Sequence, residues 1–220
     1  MKCTMAYYEE TLKPAEAAVV AGVAVRDVHR VIDERIIPEN FLAAEDGRRV
    51  WAAACSLISF YFSAATRLTA DERSFVIHVV GERLENWRSL SFAELVLKDW
   101  IVRDEFLVID FTPFFKTTKD SMDRLGAARD LVVSDPDILS GTPVIRGTRV
   151  PVHDVAASLT AGIPMKRILD AYPALDSEKV ELARIFAKAN PPRGRPRIAE
   201  IPNSATMITD REVPRRRKKE

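Results

Sequence analysis

Gly141-Thr-Pro-Val-Ile-Arg-Gly-Thr-Arg-Val-Pro-Val152 decides how the C-terminal part of this sequence folds. Gly141 and Gly147 allow backbone dihedrals that other residues avoid, and Pro143 and Pro151 fix the direction of the chain at either end. The segment therefore reads as a short extended ribbon folded back at Gly147, with Thr148 beside the fold. Arg146 and Arg149 sit close enough together to bind phosphate. The plainer alternative, and the favoured one, is a clamp that ties the ribbon to Asp135, Asp137 or Asp154, since a guanidinium pairs strongly with carboxylate. Three short helices are predicted beyond the ribbon. His153 to Thr160 closes at Gly162, Pro164 to Ala171 stops at Pro173, and Glu178 to Lys188 is capped by Asp176 or Ser177. Val180, Ala183 and Phe186 face inward. Such a set of helices joined by tight turns is a helix-turn-helix type of unit.

Upstream, Leu131-Val-Val133 reads as a short strand followed by a Ser-Asp-Pro-Asp turn. Pro113 to Arg129 predicts a helix, and Trp100 to Phe111 a β-hairpin. Thr69-Ala-Asp-Glu72 is a capping box that opens another helix, and Ala52 to Ser63 is a nearly all-apolar helix that must be buried. Nearer the N-terminus, Thr11 is placed as the cap of a helix over Leu12 to Gly22, with Pro14 in the first turn. A second helix runs from Val25 to Ile36, its Val25, Val28, Val31 and Ile32 on one face. Asp46-Gly47, between Phe41-Leu42 and Val50-Trp51, signals a hairpin turn that would form a wing. The expected fold class is mainly α with short β-hairpins (α+β). It comprises a winged helix-turn-helix over 1–68, a helix-and-hairpin connection over 69–130, a three-helix domain over 131–190 and a basic tail over 191–220.

Composition narrows the function. At 47% hydrophobic residues over 220 positions, a core needs no disulfide or metal. Cys3 and Cys55 lie far apart with no Cys or His at ligand spacing, which excludes a disulfide framework and a zinc finger and fits a reduced, cytoplasmic compartment. The longest apolar stretch, Val50 to Ala65, is broken by serines and falls short of the roughly 20 residues that span a bilayer. No membrane partner is expected. His29, His78 and His153 are scattered, and His78 reads as a core or interface position. Without a phosphate loop, nucleophile elbow or metal motif, the expectation is a protein that is not an enzyme and has no cofactor or metal.

The net charge of +1 hides a division. Residues 191–220 carry nine Arg or Lys against four Asp or Glu, a net of +5 that leaves −4 on residues 1–190. The tail is rich in proline and ends Arg215-Arg-Arg-Lys-Lys219, a composition that predicts disorder until a partner orders it. In the N-terminal unit, Arg26, His29 and Arg30 fall on the face of the second helix opposite its apolar stripe. They are candidates for the major groove. Arg48 and Arg49 at the wing are candidates for phosphate. Residues 13–50 are not basic overall, with six Lys or Arg against seven Asp or Glu, so a helical hairpin that merely packs or dimerises is the alternative.

The ribbon, taken with Gly162 and the Tyr172-Pro173 pair, resembles the signature of a bacterial family known as domain of unknown function 433, over about 131–190. Leu12 to Trp51 more generically resembles the winged helix of the MerR type. The first resemblance implies a homeodomain-like three-helix fold and a role as antitoxin. Longer members with an added N-terminal winged unit are similar to VapB-type antitoxins, which dimerise, bind operator DNA and cover a PIN-domain ribonuclease toxin with a C-terminal segment. Such nucleases hold metal with several carboxylates, and always-charged arginine suits that pocket. Arg193, Arg195 and Arg197 would project to one side of an extended tail and are the expected toxin-binding residues. The alternative is a stand-alone regulator whose middle region, 69–130, binds an effector or a second subunit.

Overall fold

The computed structural model describes residues 10–43, 48–105 and 107–192. Strand β1 (Thr11–Leu12) comes first, then helices α1 (Pro14–Ala21) and α2 (Val25–Asp33). Thr11 is thus not the cap of α1. It pairs with Trp51 in a sheet, and Lys13 takes the cap position, its amide donating to the Glu16 carboxylate at 2.9 Å. Gly22 ends α1 in the left-handed region, φ 70°, which glycine reaches at no steric cost. Helix α2 is three residues shorter than its periodicity suggests. Arg35 turns left-handed at φ 52°, and the Ile36 amide bonds back to the Val31 carbonyl at 3.0 Å, closing the helix before Pro38.

Strands β2 (Leu42–Ala43) and β3 (Arg49–Trp51) pair antiparallel, and β1 adds to the far edge of β3, giving the order β1-β3-β2. The Asp46-Gly47 turn expected between β2 and β3 lies outside the described residues. Helix α3 (Ala54–Ser63) follows and is buried along most of its length, as its apolar run requires. Helix α4 (Ala70–Asn86) carries the predicted Thr69/Glu72 capping box. A four-residue α5 (Phe92–Leu95) opens on a second box, Ser91 with Glu94, which the sequence reading passed over. Strands β4 (Ile101–Asp104) and β5 (Leu107–Asp110) form the expected hairpin, and α6 (Thr112–Leu131) spans 20 residues.

One core unites these elements from Leu12 to Ala128. At its centre Trp100 is fully buried, its ring 4.1 Å from that of Phe115 and 5.1 Å from that of Trp87. Its indole N–H donates to the Leu95 carbonyl at 2.6 Å, satisfying the one polar atom the ring brings inside. Phe60 of α3 meets Phe111 at 5.2 Å, so the all-apolar helix packs against the start of α6.

Strands β6 (Val132–Val133) and β7 (Val144–Ile145) pair antiparallel. Helices α7 (Val152–Thr160), α8 (Met165–Ala171) and α9 (Ser177–Ala189) complete the chain's described part, close to the three helices predicted. Asp176 caps α9 through the Lys179 amide at 2.8 Å. A second, smaller core gathers Ile145, Val152, Val155, Ile168, Leu175, Val180 and Ala183. Helix α9 belongs to both cores. Val180 and Ala183 face the small one, Ile185 and Ala189 the large one, and Phe186 touches each. The fold is mainly helical with three small sheets, and among the described residues no helix is long and apolar enough to cross a membrane.

Burial sets the scale of a first prediction. Trp100→Ala is expected to cost about 3–5 kcal/mol, read from the shift of the urea midpoint, whereas Val108→Ala, at 68% exposure on β5, stays within about 0.5 kcal/mol.

Candidate functional site

Helix α2 presents the cations on which a nucleic-acid reading depends. Its apolar side, Val28 and Val31, is buried and Ile32 packs against the core, whereas Val25, expected on that face, is exposed and the polar residues turn outward. Arg26 is 88% exposed with only a distant ion contact, 3.8 Å to its neighbour Asp27. Arg30 is already engaged. Its Nε lies 3.0 Å from both oxygens of Glu34, and that hydrogen bond, then the same carboxylate's charge, raises its pKa further above the ordinary arginine value. Arg48 reaches across to Asp33 at 2.6 Å. His29 is half-buried between these pairs. Arg49 stands in β3 opposite Ala43. The structure thus brings Arg26, His29, Arg30 and Arg48 to one surface formed by α2 and the start of β3, but sets Asp33 and Glu34 among them. Such exposed pairs contribute about 0–1 kcal/mol each, so a phosphate can displace the carboxylate at small cost. The pairs hold the guanidinium groups in place without cancelling their use.

The ribbon is built differently from the clamp expected of it. Arg146 Nε donates to the backbone carbonyl of Asp130 at 2.8 Å, and the Arg146 amide to the Leu131 carbonyl, also at 2.8 Å. None of Asp135, Asp137 or Asp154 takes part. The last carbonyls of a helix have no partner within it, and the C-terminal end of α6 offers them next to β7, so the arginine goes there. Gly147 takes φ 77°. Thr148 Oγ1 donates to the Ile145 carbonyl at 2.7 Å and accepts from the Val150 amide at 3.1 Å, closing the fold-back. Val144 bridges to Pro151, and the Val152 amide bonds to the Pro143 carbonyl at 3.0 Å. Just before the ribbon, Leu139, Ser140 and Gly141 all have positive φ, a conformation costing the two non-glycine residues about 1–2 kcal/mol each. Arg149 alone among the ribbon's cations is exposed with no partner among the described residues.

A partly buried ion pair ties α6 to α1 within the large core. Arg129, near the end of α6, bonds to Glu10 ahead of β1 and to Glu16 of α1, the latter at 2.9 Å. Partial burial pulls the guanidinium's pKa down, but the hydrogen bonds to Glu10 and Glu16 outweigh this and leave it raised. Glu16 is only 7% exposed. It serves twice, capping α1 through Lys13 and holding α6 through Arg129. No local pattern in the sequence marks this pair, because its members lie 113 residues apart.

His78 is not in the core but 71% exposed, 3.3 Å from Glu82: the apolar face of α4 is carried by Val76, Ile77, Val80 and Leu84, which turns His78 outward. His153 lies against Phe186 at 6.2 Å. Arg193, Arg195 and Arg197 lie outside the described residues. Helix α9, the third helix of its unit, is covered on most sides and keeps one polar edge, through Ser177, Glu178, Glu181, Arg184 and Lys188. It packs against α7, α6 and α1, and from Val180 to Ala189 only Lys188 is exposed.

Residues 132–187 match the family described as "Protein of unknown function (DUF433)". The chain is 52% identical over 219 residues to the "Uncharacterized protein y4eO" of Sinorhizobium fredii (strain NBRC 101917 / NGR234), covering 99% of each chain. No solved structure matches.

The Arg129 pair yields a second prediction. Arg129→Met leaves the Glu16 carboxylate buried and uncompensated and is expected to cost about 2 kcal/mol or more by urea denaturation. Adding Glu16→Gln to it recovers most of that loss.

Proposed function

The chain belongs to the same family as y4eO and carries a DUF433 unit at its C-terminal side, and from that premise we propose that it is a DNA-binding antitoxin. In this reading the N-terminal unit contacts operator DNA, the DUF433 unit braces it, and the basic tail covers a PIN-domain ribonuclease toxin. One observation carries the DNA part. Helix α2 has an open outward face with Arg26 at its start, follows α1 through a short glycine turn, and is followed by the β2–β3 pair. That order is the order of a winged helix-turn-helix, in which the second helix enters the major groove and the hairpin lies beside it. The packing of α9 against α7, α6 and α1 favours the same choice within the two helical units.

Arg26, with His29 and Arg30 one turn further on, would meet base edges. Arg48 and Arg49 would meet backbone phosphate, Arg48 by exchanging Asp33 for it. A homodimer matches the two-fold symmetry of operator half-sites. The antitoxin part rests on the ribbon signature and on the charge difference between the body and residues 191–220. Arg193, Arg195 and Arg197 are the residues assigned to the toxin's carboxylate pocket, where a bidentate guanidinium competes with metal. A stand-alone regulator is the second reading, and a neighbouring gene for a small nuclease separates the two.

Gel shifts on the DNA upstream of the chain's own gene test the first assignment. Arg26→Ala is expected to weaken duplex binding about tenfold, while Lys179→Ala on α9 leaves it unchanged. Equal binding by the Arg26 variant removes α2 from the interface. Co-expression with the neighbouring gene product tests the second. Truncation after Asn190, or alanine at Arg193, Arg195 and Arg197 together, is expected to abolish nuclease inhibition while duplex binding persists. Inhibition that survives the truncation ends the antitoxin assignment.

A further inference from the structure

A cleft of about 450 Å³ opens between the α1–α2 turn, α6 and the C-terminal half of α9. Small apolar residues of α1 and the turn form one wall. Ser121 and Arg124 of α6 with Arg184 and Lys188 of α9 form the other. No acidic residue is among those that line it. Arg184 is held from outside by Glu181, which accepts from Nε and Nη2 at 2.8 Å each. Arg124 and Lys188 are exposed and pair with no carboxylate among the described residues. Of the three cations on this concavity only Arg184 has an acid, and Glu181 stands outside the lining, whereas Arg124 and Lys188 have none among the described residues. Like charges gathered around a low-dielectric hollow raise the local potential and concentrate anions there. The volume falls within the roughly 300–1,000 Å³ of small-ligand sites, and a concave wall suits a compact ligand better than it suits a duplex.

We propose that this cleft binds a small phosphorylated molecule, its phosphate held by Arg124, Arg184 and Lys188 with the Ser121 hydroxyl as a further donor. Two arginines and a lysine supply the charge-assisted hydrogen bonds that phosphate oxygens accept. The apolar wall from Ala18 to Val25 receives the rest of the ligand. A bound phosphate touches α6 and α9 while its remainder rests on the turn that leads into α2, so it ties both helices to the joint from which α2 projects. This site requires neither the toxin nor the operator assigned above.

The full chain is titrated with inorganic phosphate and with adenosine monophosphate, by calorimetry and by the rise in melting temperature over chloride at matched ionic strength. Saturable binding of at least one probe at one site per chain is expected. Arg124→Ala with Lys188→Ala, both surface changes, should weaken it at least about tenfold and remove the excess rise in melting temperature, whereas Lys166→Ala with Arg167→Ala on α8 should not. Arg26→Ala should leave phosphate binding intact even where it weakens DNA binding. Three results overturn the proposal: no saturation with either probe, equal loss in both double variants, or loss of duplex affinity in the Arg124/Lys188 variant without any phosphate binding. The last assigns these cations to the DNA backbone instead.

Discussion

Helix α9 closes two cores at once, and much of the architecture follows from that. Its Val180 and Ala183 complete the small core around Ile168 and Val155, while Ile185 and Ala189 complete the large one around α1 and α6. A helix that closes two cores cannot leave either without exposing both. The C-terminal unit is therefore fixed to the body rather than tethered to it. Arg129 adds a polar tie between α6 and α1 inside the large core, with Glu16 as a partner too buried to be left alone. The third helix of the C-terminal unit is thus a structural wall, while α2 turns its polar side outward.

The electrostatics of α2 look unfavourable to an anion only if the pairs are counted as neutral. Arg30 with Glu34 and Arg48 with Asp33 are exposed, so water screens each bond and little is lost when a stronger acceptor replaces the carboxylate. What the pairs supply is order: a guanidinium held by an acid has fewer rotamers to give up when it binds. Arg26 lacks such a hold and stays extended. The cleft beside α9 differs in that no acid is among its lining residues, although Arg184 is paired with Glu181 just beyond them.

The sequence was most legible where a single residue type dictates geometry. The capping box at Thr69, the hairpin over 101–110, the fold-back at Gly147 and the Asp176 cap are local, and each is present. Local rules failed where a distant strand competes. Thr11 looks like a helix cap until β3 arrives to pair with it, and the periodicity of α2 runs through Ile36 although Arg35 has already turned left-handed. Arg146 was assigned to nearby acids because charge suggested them. The nearer acceptors were backbone carbonyls at the end of α6, which no charge pattern displays. The cleft cations were invisible for the same reason: Arg124 and Arg184 meet only because α6 packs on α9.

These details bear on what the ribbon signature means. Gly147 supplies a left-handed turn, Thr148 closes it with two hydrogen bonds, Arg146 satisfies the end of α6, and Pro151 leads into α7. Every one of those tasks is structural. They fasten β7 to β6 and aim α7, and through α7 they set where α9 lies. A chain that carries the signature has thereby the means to build this joint, whatever the joint is used for. Chemistry that distinguishes one such protein from another has to be sought outside it, on α2, in the cleft beside α9, or in residues beyond 192. Arg149 is the exception inside the ribbon, exposed and unengaged where its neighbours are all spoken for. A structural account of the signature leaves that one side chain over.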